Sequence, residues 1–150
     1  MPYLTIDDHL PLLVVRRVGS ADAKSVSSML DWTGQHLDHA ERKLGWLYDA
    51  GESPGGLPDA PARRAAGEWI TRNRRRLEAH CTGLDFALAS PLSRGALTAV
   101  VWIAKPPVPW AMHATLATAL DAALDRLGRP SHLDAKVVLR DLARRPSIVP

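Results

Sequence analysis

Cysteine is nearly absent. Cys81 is the only one in 150 residues, so a disulfide-stapled scaffold, which needs pairs, is excluded. Lysine is scarce, limited to Lys24, Lys43, Lys105 and Lys136. No apolar run reaches the ~20 residues of a membrane-spanning helix, and the longest, Gly95 to Ala104, is about half that. The N-terminus lacks a charged stretch followed by an apolar one, so no secretory signal is read there and a cytoplasmic location is expected. Catalytic signatures are missing as well. Ser53, Ser90 and Ser93 stand in no Gly-x-Ser-x-Gly elbow. Gly51, Gly55 and Gly56 form neither a P-loop nor a Gly-x-Gly-x-x-Gly turn. No helix-turn-helix, zinc finger or aromatic RNA platform accompanies the arginines.

What is present is the composition of a globular chain. Hydrophobic residues make up 46% and charged residues 23%, too apolar for a disordered chain. A chain of this length buries roughly two thirds of its unfolded surface. The formal charge is only +3, too mild to imply nucleic acid. The arginines cluster at positions 72, 74, 75 and 76 and again at 140, 144 and 145, where solvated helix faces are expected.

The apolar pattern alternates between strand and helix periods. Tyr3–Ile6 and Leu12–Val18 read as a β-hairpin, with Pro11 at the start of its second strand. A helix follows, capped by Ser20 or Asp22, with Val26, Met29, Leu30, Thr33 and Leu37 at helical spacing. Gly34 inside it costs up to about 1 kcal/mol against alanine. Leu44–Tyr48 is a strand, and Gly51–Pro58 a loop. A second helix begins near Asp59, with Pro61 in its first turn and a stripe from Ala62 through Trp69 and Ile70 to Leu77. Leu84–Leu88 is a strand. Ser90 caps a third helix, Leu92–Ile103, apolar nearly all round and so expected to be buried or at an interface; a buried strand over Leu97–Ile103 is the alternative. Lys105–Pro109 is a connection and Trp110–Ala114 a last strand. Thr115 caps a fourth helix that Gly128 stops. Beyond Pro130 a short basic pattern remains, with Ser131 as cap and Leu133, Val137, Leu139, Leu142 and Ala143 as its apolar positions.

Strand, strand, then alternating helix and strand predicts an α/β fold. Its sheet is mixed and mainly parallel, with an N-terminal β-hairpin and four helices, plus a C-terminal helical tail. Two units are expected: an α/β domain over 1–128 and an amphipathic basic tail over 129–150. The order resembles the STAS fold of anti-sigma-factor antagonists, and in particular the SpoIIAA-like, STAS/SEC14-like bacterial proteins, over roughly residues 3–128. The resemblance is carried by Leu47-Tyr48-Asp49, the helix Ala62 to Arg76, Phe86-Ala87-Leu88-Ala89-Ser90, and Arg94-Gly95-Ala96-Leu97-Thr98-Ala99 with the proline linker after it. It implies a non-enzymatic signalling module that binds a protein partner. Classical antagonists carry a phosphorylated Ser or Thr near the start of the second helix. Here that stretch reads Asp59-Ala60-Pro61-Ala62, and the nearest serine is Ser53. A phosphate at Ser53 would add nearly two negative charges near a helix N-terminus.

Other constellations have a chemical and a structural reading. His36 and His39, three apart, could share a metal or simply stand at an exposed helix end. Cys81 beside His80 evokes a thiolate–imidazole pair or a half-buried structural cysteine. Five tryptophans occur; Trp69 and Trp102 are expected in the core, and Trp32 and Trp110 are open to partial exposure as interface anchors. The tail either packs on its own domain or docks on another protein.

The resulting expectation is an adaptor with no enzymatic activity, no cofactor and no metal. Its partner-binding residues are Ser53, Asp59, Arg63, Arg64, Leu133, Val137, Arg140 and Leu142, with Ser53 the candidate phosphorylation site. The partner is a protein, not nucleic acid; no membrane span is expected, and a homo-oligomer stays open. The alternative is a carrier of a small molecule or lipid, whose cavity would be lined by Trp102, Trp110 and neighbouring aliphatics.

Overall fold

The computed structural model describes residues 2–51 and 58–146. Among them are five strands and six helices: β1 (Tyr3–His9), β2 (Leu12–Arg17), α1 (Ala23–Asp38), β3 (Leu44–Asp49), α2 (Ala60–Arg72), α3 (Arg74–His80), β4 (Cys81–Ala87), α4 (Pro91–Ala104), β5 (Trp110–His113), α5 (Leu116–Arg126) and α6 (Ala135–Arg144). The sheet order is β1-β2-β3-β4-β5. Only β1 and β2 are antiparallel; every other pair is parallel. The α/β class, with a mixed and mostly parallel sheet, is as expected.

Each central strand is buried on both sides, which is why β2 reads as the unbroken run Leu12-Leu13-Val14-Val15. Successive side chains point to opposite faces. Leu13, Val15, Trp46, Tyr48, Leu84 and Phe86 meet α1, α2, α3 and α4 on one face. Leu12, Val14 and Leu47 meet α5 and α6 on the other.

Most helix starts follow the expected chemistry. Asp22, Asp59, Ser90 and Thr115 accept the N–H of Ser25, Ala62, Ser93 and Thr118. Gly128 adopts φ 74°. Its N–H reaches Asp125 O and the Arg129 N–H reaches Leu124 O, the paired bonds of a Schellman ending.

Three readings are corrected and one alternative is decided. The second helix is two, because Asn73 turns its backbone N–H and its side-chain amide onto Trp69 O and ends α2. Leu97–Ile103 is helical. Trp102 is not core but 69% exposed, since α4 turns this residue away from the sheet. The tail is capped by Asp134, whose Oδ1 accepts from Lys136 and Val137. This cap sets the phase so that Val138 and Leu142 face inward and Val137 outward.

Gly34 has a packing reason. Arg76 lies across it, bonds Gly34 O (3.1 Å) and pairs with Asp38; a Cβ there would sit 3.0 Å from two guanidinium nitrogens.

α6 is fastened by charge. Arg16, buried on the α6 side, donates to Asp49 Oδ2 (2.8 Å), Leu142 O (2.6 Å) and Arg145 O (3.2 Å). Arg145 pairs with Asp8 and Asp141, and His9 Nε2 contacts Asp141 at 2.7 Å. Arg16→Met leaves Asp49 buried and unpaired, and such breaks cost about 3–5 kcal/mol. Urea unfolding will show that loss, and Arg16→Met/Asp49→Leu will recover most of it; a loss as large in the double variant would refute the pairing argument.

The Asp141 carboxyl is held below its ordinary value, chiefly by the His9 hydrogen bond and then by Arg145. A lowered folded value contributes stability above the unfolded carboxylate's titration, and that contribution is lost as pH falls through the folded value. Acidification through that lowered value should therefore loosen α6 before the sheet. Hydrogen exchange corrected for intrinsic rates would register this as protection lost first at residues 138–144; uniform loss would contradict it.

Candidate ligand cavity

The two faces of the sheet are filled differently. The α5 and α6 side closes on aliphatic side chains. The other side holds a cavity of about 500 Å³ between the sheet and α1, α2 and α4, within the ≈ 300–1,000 Å³ range of small-molecule sites. Its floor is aromatic because β3 and β4 place Trp46, Tyr48 and Phe86 on one face. Trp46 lies edge-on to Phe86 at 5.4 Å and stacks on Tyr48 at 6.0 Å. The helices supply Met29, Leu30, Trp69, Ile70, Leu97 and Val101, with small Ala62 and Ala66 leaving room. The mouth lies by Gly51, Pro58, Arg63, Ser90 and Ser93, beyond the carboxyl ends of β3 and β4, where open α/β sheets bind ligands.

Polar groups in the wall are few and mostly engaged. Trp46 Nε1 donates to Thr33 Oγ1 (3.2 Å), which donates to Met29 O. Arg17, on the cavity face of β2, donates through Nε to Gly19 O (2.9 Å). Burial raises the Tyr3 phenol and raises Tyr48 well above the ordinary value, against an opposing pull from Arg17 on each. Both phenols therefore stay neutral at physiological pH and offer a ligand hydrogen bonds, not charge.

The expected site residues are scattered. Asp59 caps α2; Arg63, at the mouth, donates to Pro58 O; Arg64 is exposed on α2. Leu133 is half-buried, Val137 and Arg140 are exposed, and Leu142 is buried against the sheet. Ser53 lies outside the described residues. The tail's inward face is thus used within the chain. The tryptophans of the cavity are Trp46 and Trp69, not Trp102 and Trp110.

Both rings of the histidine pair are engaged elsewhere: His36 contacts Trp32 O and Asp7, and His39 contacts Gln35 O. Among the described residues no group of three or more His, Cys, Asp or Glu is placed to hold a metal, and no helix is long and apolar enough to cross a membrane.

On the opposite face, buried Asp85 accepts from His113 Nε2 (2.9 Å) and Arg126 Nε (3.0 Å). Gly83 makes this possible, since a Cβ there would lie 2.5 Å from Arg126 Cδ. These contacts tie α5 and β5 to β4.

The sequence offered a cavity only as an alternative and placed it at Trp102 and Trp110, because empty volume belongs to no residue. The available signal was the aromatic pair Trp46 and Tyr48, two apart on one strand face, with Phe86 on the next strand. No protein-family model, curated protein or solved structure matches the chain.

Burial pushes the Cys81 thiol up to about 11, and its Sγ–H bonds Gly83 O at 3.3 Å. It stays a thiol at about pH 8, and the thiolate is the nucleophile. Maleimide should modify Cys81 only in denaturant; rapid labelling of the native chain would contradict this.

Proposed function

We propose that this chain is a non-enzymatic binding module that carries a small, apolar, uncharged molecule in the cavity between the sheet and α1, α2 and α4. The observation that carries this reading is the open-mouthed cavity of about 500 Å³, walled by aromatic and aliphatic side chains. Trp46, Tyr48, Phe86 and Trp69 offer flat faces to a ring or branched hydrocarbon body. The phenols and the mouth serines offer hydrogen bonds that would orient one polar end.

Three points support it over an adaptor working through the tail. The inward face of α6 is occupied by its own domain. The buried Cys81 thiol is not an activated nucleophile. The sheet order, with its single antiparallel pair, is consistent with the STAS/SEC14-like resemblance, whose SEC14-like relatives bind apolar ligands. The same resemblance makes a bacterial, cytoplasmic module the natural setting.

The test is a titration with the neutral apolar fluorophore N-phenyl-1-naphthylamine, read by energy transfer from tryptophan. Wild type should bind one equivalent saturably, and binding should raise the melting temperature by mass action. Ala66→Trp, which fills the space, should weaken binding at least about tenfold at a folding cost of about 1–3 kcal/mol. Val137→Ser, exposed on α6 on the other side of the sheet, should leave it unchanged. Unsaturable binding, or binding indifferent to Ala66→Trp, would overturn the reading.

A further inference from the structure

α4 has two apolar faces and only one is used inside the chain. Leu97, Val100 and Val101 wall the cavity, and Leu92, at the start of the helix, borders it as well as facing outward. The outward face presents Leu92 (75% exposed), Gly95, Ala99, Trp102 and Ile103 (83% exposed). Positions 92, 95, 99 and 102 follow the three-four spacing of a helix–helix seam. The stripe holds no charge, and Arg94, beside it, donates to Leu88 O and Ala89 O instead of reaching across it.

Gly95 is the second observation. A helix-interior glycine is disfavoured against alanine, so a packing reason is expected. At Gly34, Gly45 and Gly83 one is found, since a Cβ there would press on Arg76, Leu127 or Arg126; a Cβ at Gly67 in α2 would make only an ordinary contact with Val100 (3.7 Å), and one at Gly95 would meet nothing within 4 Å. Nothing in its own chain requires this residue to be small.

We infer that the outward face of α4 pairs with the same face of a second copy, antiparallel across a two-fold axis at the level of Leu97. The pattern is symmetric about that level: Leu92 and Trp102 lie five residues to either side, and Gly95 and Ala99 two. An antiparallel partner therefore sets Leu92 against Trp102 of the other copy and Gly95 against its Ala99, large beside large and small beside small. This self-complementarity is what an isologous interface requires.

The area is sufficient for a weak dimer. At roughly 200 Å² of surface per large apolar residue, Leu92, Trp102 and Ile103 expose about 450 Å² per copy, so a pair covers about 900 Å² before Gly95 and Ala99 are added. That lies below the roughly 1,200 Å² of stable specific interfaces, in the range of weak and transient ones.

Sedimentation equilibrium of the full chain over a range of concentrations tests this. Wild type should pass from 16.3 kDa toward twice that mass. Ala99→Arg, on an exposed helix position, should weaken association at least tenfold while leaving the circular dichroism unchanged. Gly95→Ala should raise the melting temperature of the monomer and still weaken the dimer. Val137→Glu, an exposed apolar site away from α4, should leave association intact. A chain that stays monomeric at all concentrations, dimers indifferent to Ala99→Arg, or binding of this face to neutral or anionic vesicles with no dimer in solution would each overturn the proposal.

Discussion

The structure depends on two adjacent arginines at the end of a strand buried on both sides. Alternation sends Arg16 to one face of the sheet and Arg17 to the other, and both are almost fully buried. A buried charge is tolerated only with partners. Arg16 finds Asp49 on the neighbouring parallel strand and two carbonyls at the end of α6. Its donors satisfy carbonyls that the last turn of any helix leaves open. The ion pair thus fixes how the ends of β2 and β3 align, and it holds the C-terminal segment on the same face. Through Asp8, His9 and Asp141 that segment also clasps the β1–β2 hairpin.

With α6 in place, the α5–α6 side of the sheet is covered by aliphatic side chains. The residues facing it on the strands are Leu12, Val14, Leu47 and Ala87, with Gly45 admitting Leu127. The other side is built from larger pieces that do not close. Aromatic rings on β3 and β4 form its floor, with Trp46 bonded to Thr33 of α1, while α2 brings the small residues Ala62 and Ala66 to the opposite wall. Interiors are otherwise packed like crystals, so a void of this size, bordered by rings, points to an occupant. The cavity follows from the asymmetry of the two faces, not from any one motif.

Much of this was legible in the sequence. The strand and helix periods gave the element order, and the caps at Asp22, Asp59, Ser90 and Thr115 could be read because their chemistry is local. The split at Asn73 was missed because an apolar stripe runs through it and only a side-chain bond to Trp69 O ends the helix. The tail's phase was misread because Leu133, Val137 and Leu142 imitate a helical face. The correct face, Val138 and Leu142, is set by the Asp134 cap and by Arg16 from 126 residues away. Trp102 was assigned to the core because hydrophobicity says that a residue seeks burial but not what covers it. The candidate site was least legible, since it is made of side chains from four strands and four helices whose only common property is the space they leave.

Glycines separate what the chain needs for itself from what it offers to others. Gly34, Gly45 and Gly83 each admit a side chain from elsewhere in the fold, and each links two elements: α1 to α3, β3 to the end of α5, β4 to α5. Their smallness is explained by intramolecular contact. Gly95 faces outward on the most apolar helix of the chain and admits nothing from within. In a helix whose inner residues wall the cavity, an outer face shaped for close approach means that whatever packs there bears on the cavity wall as well.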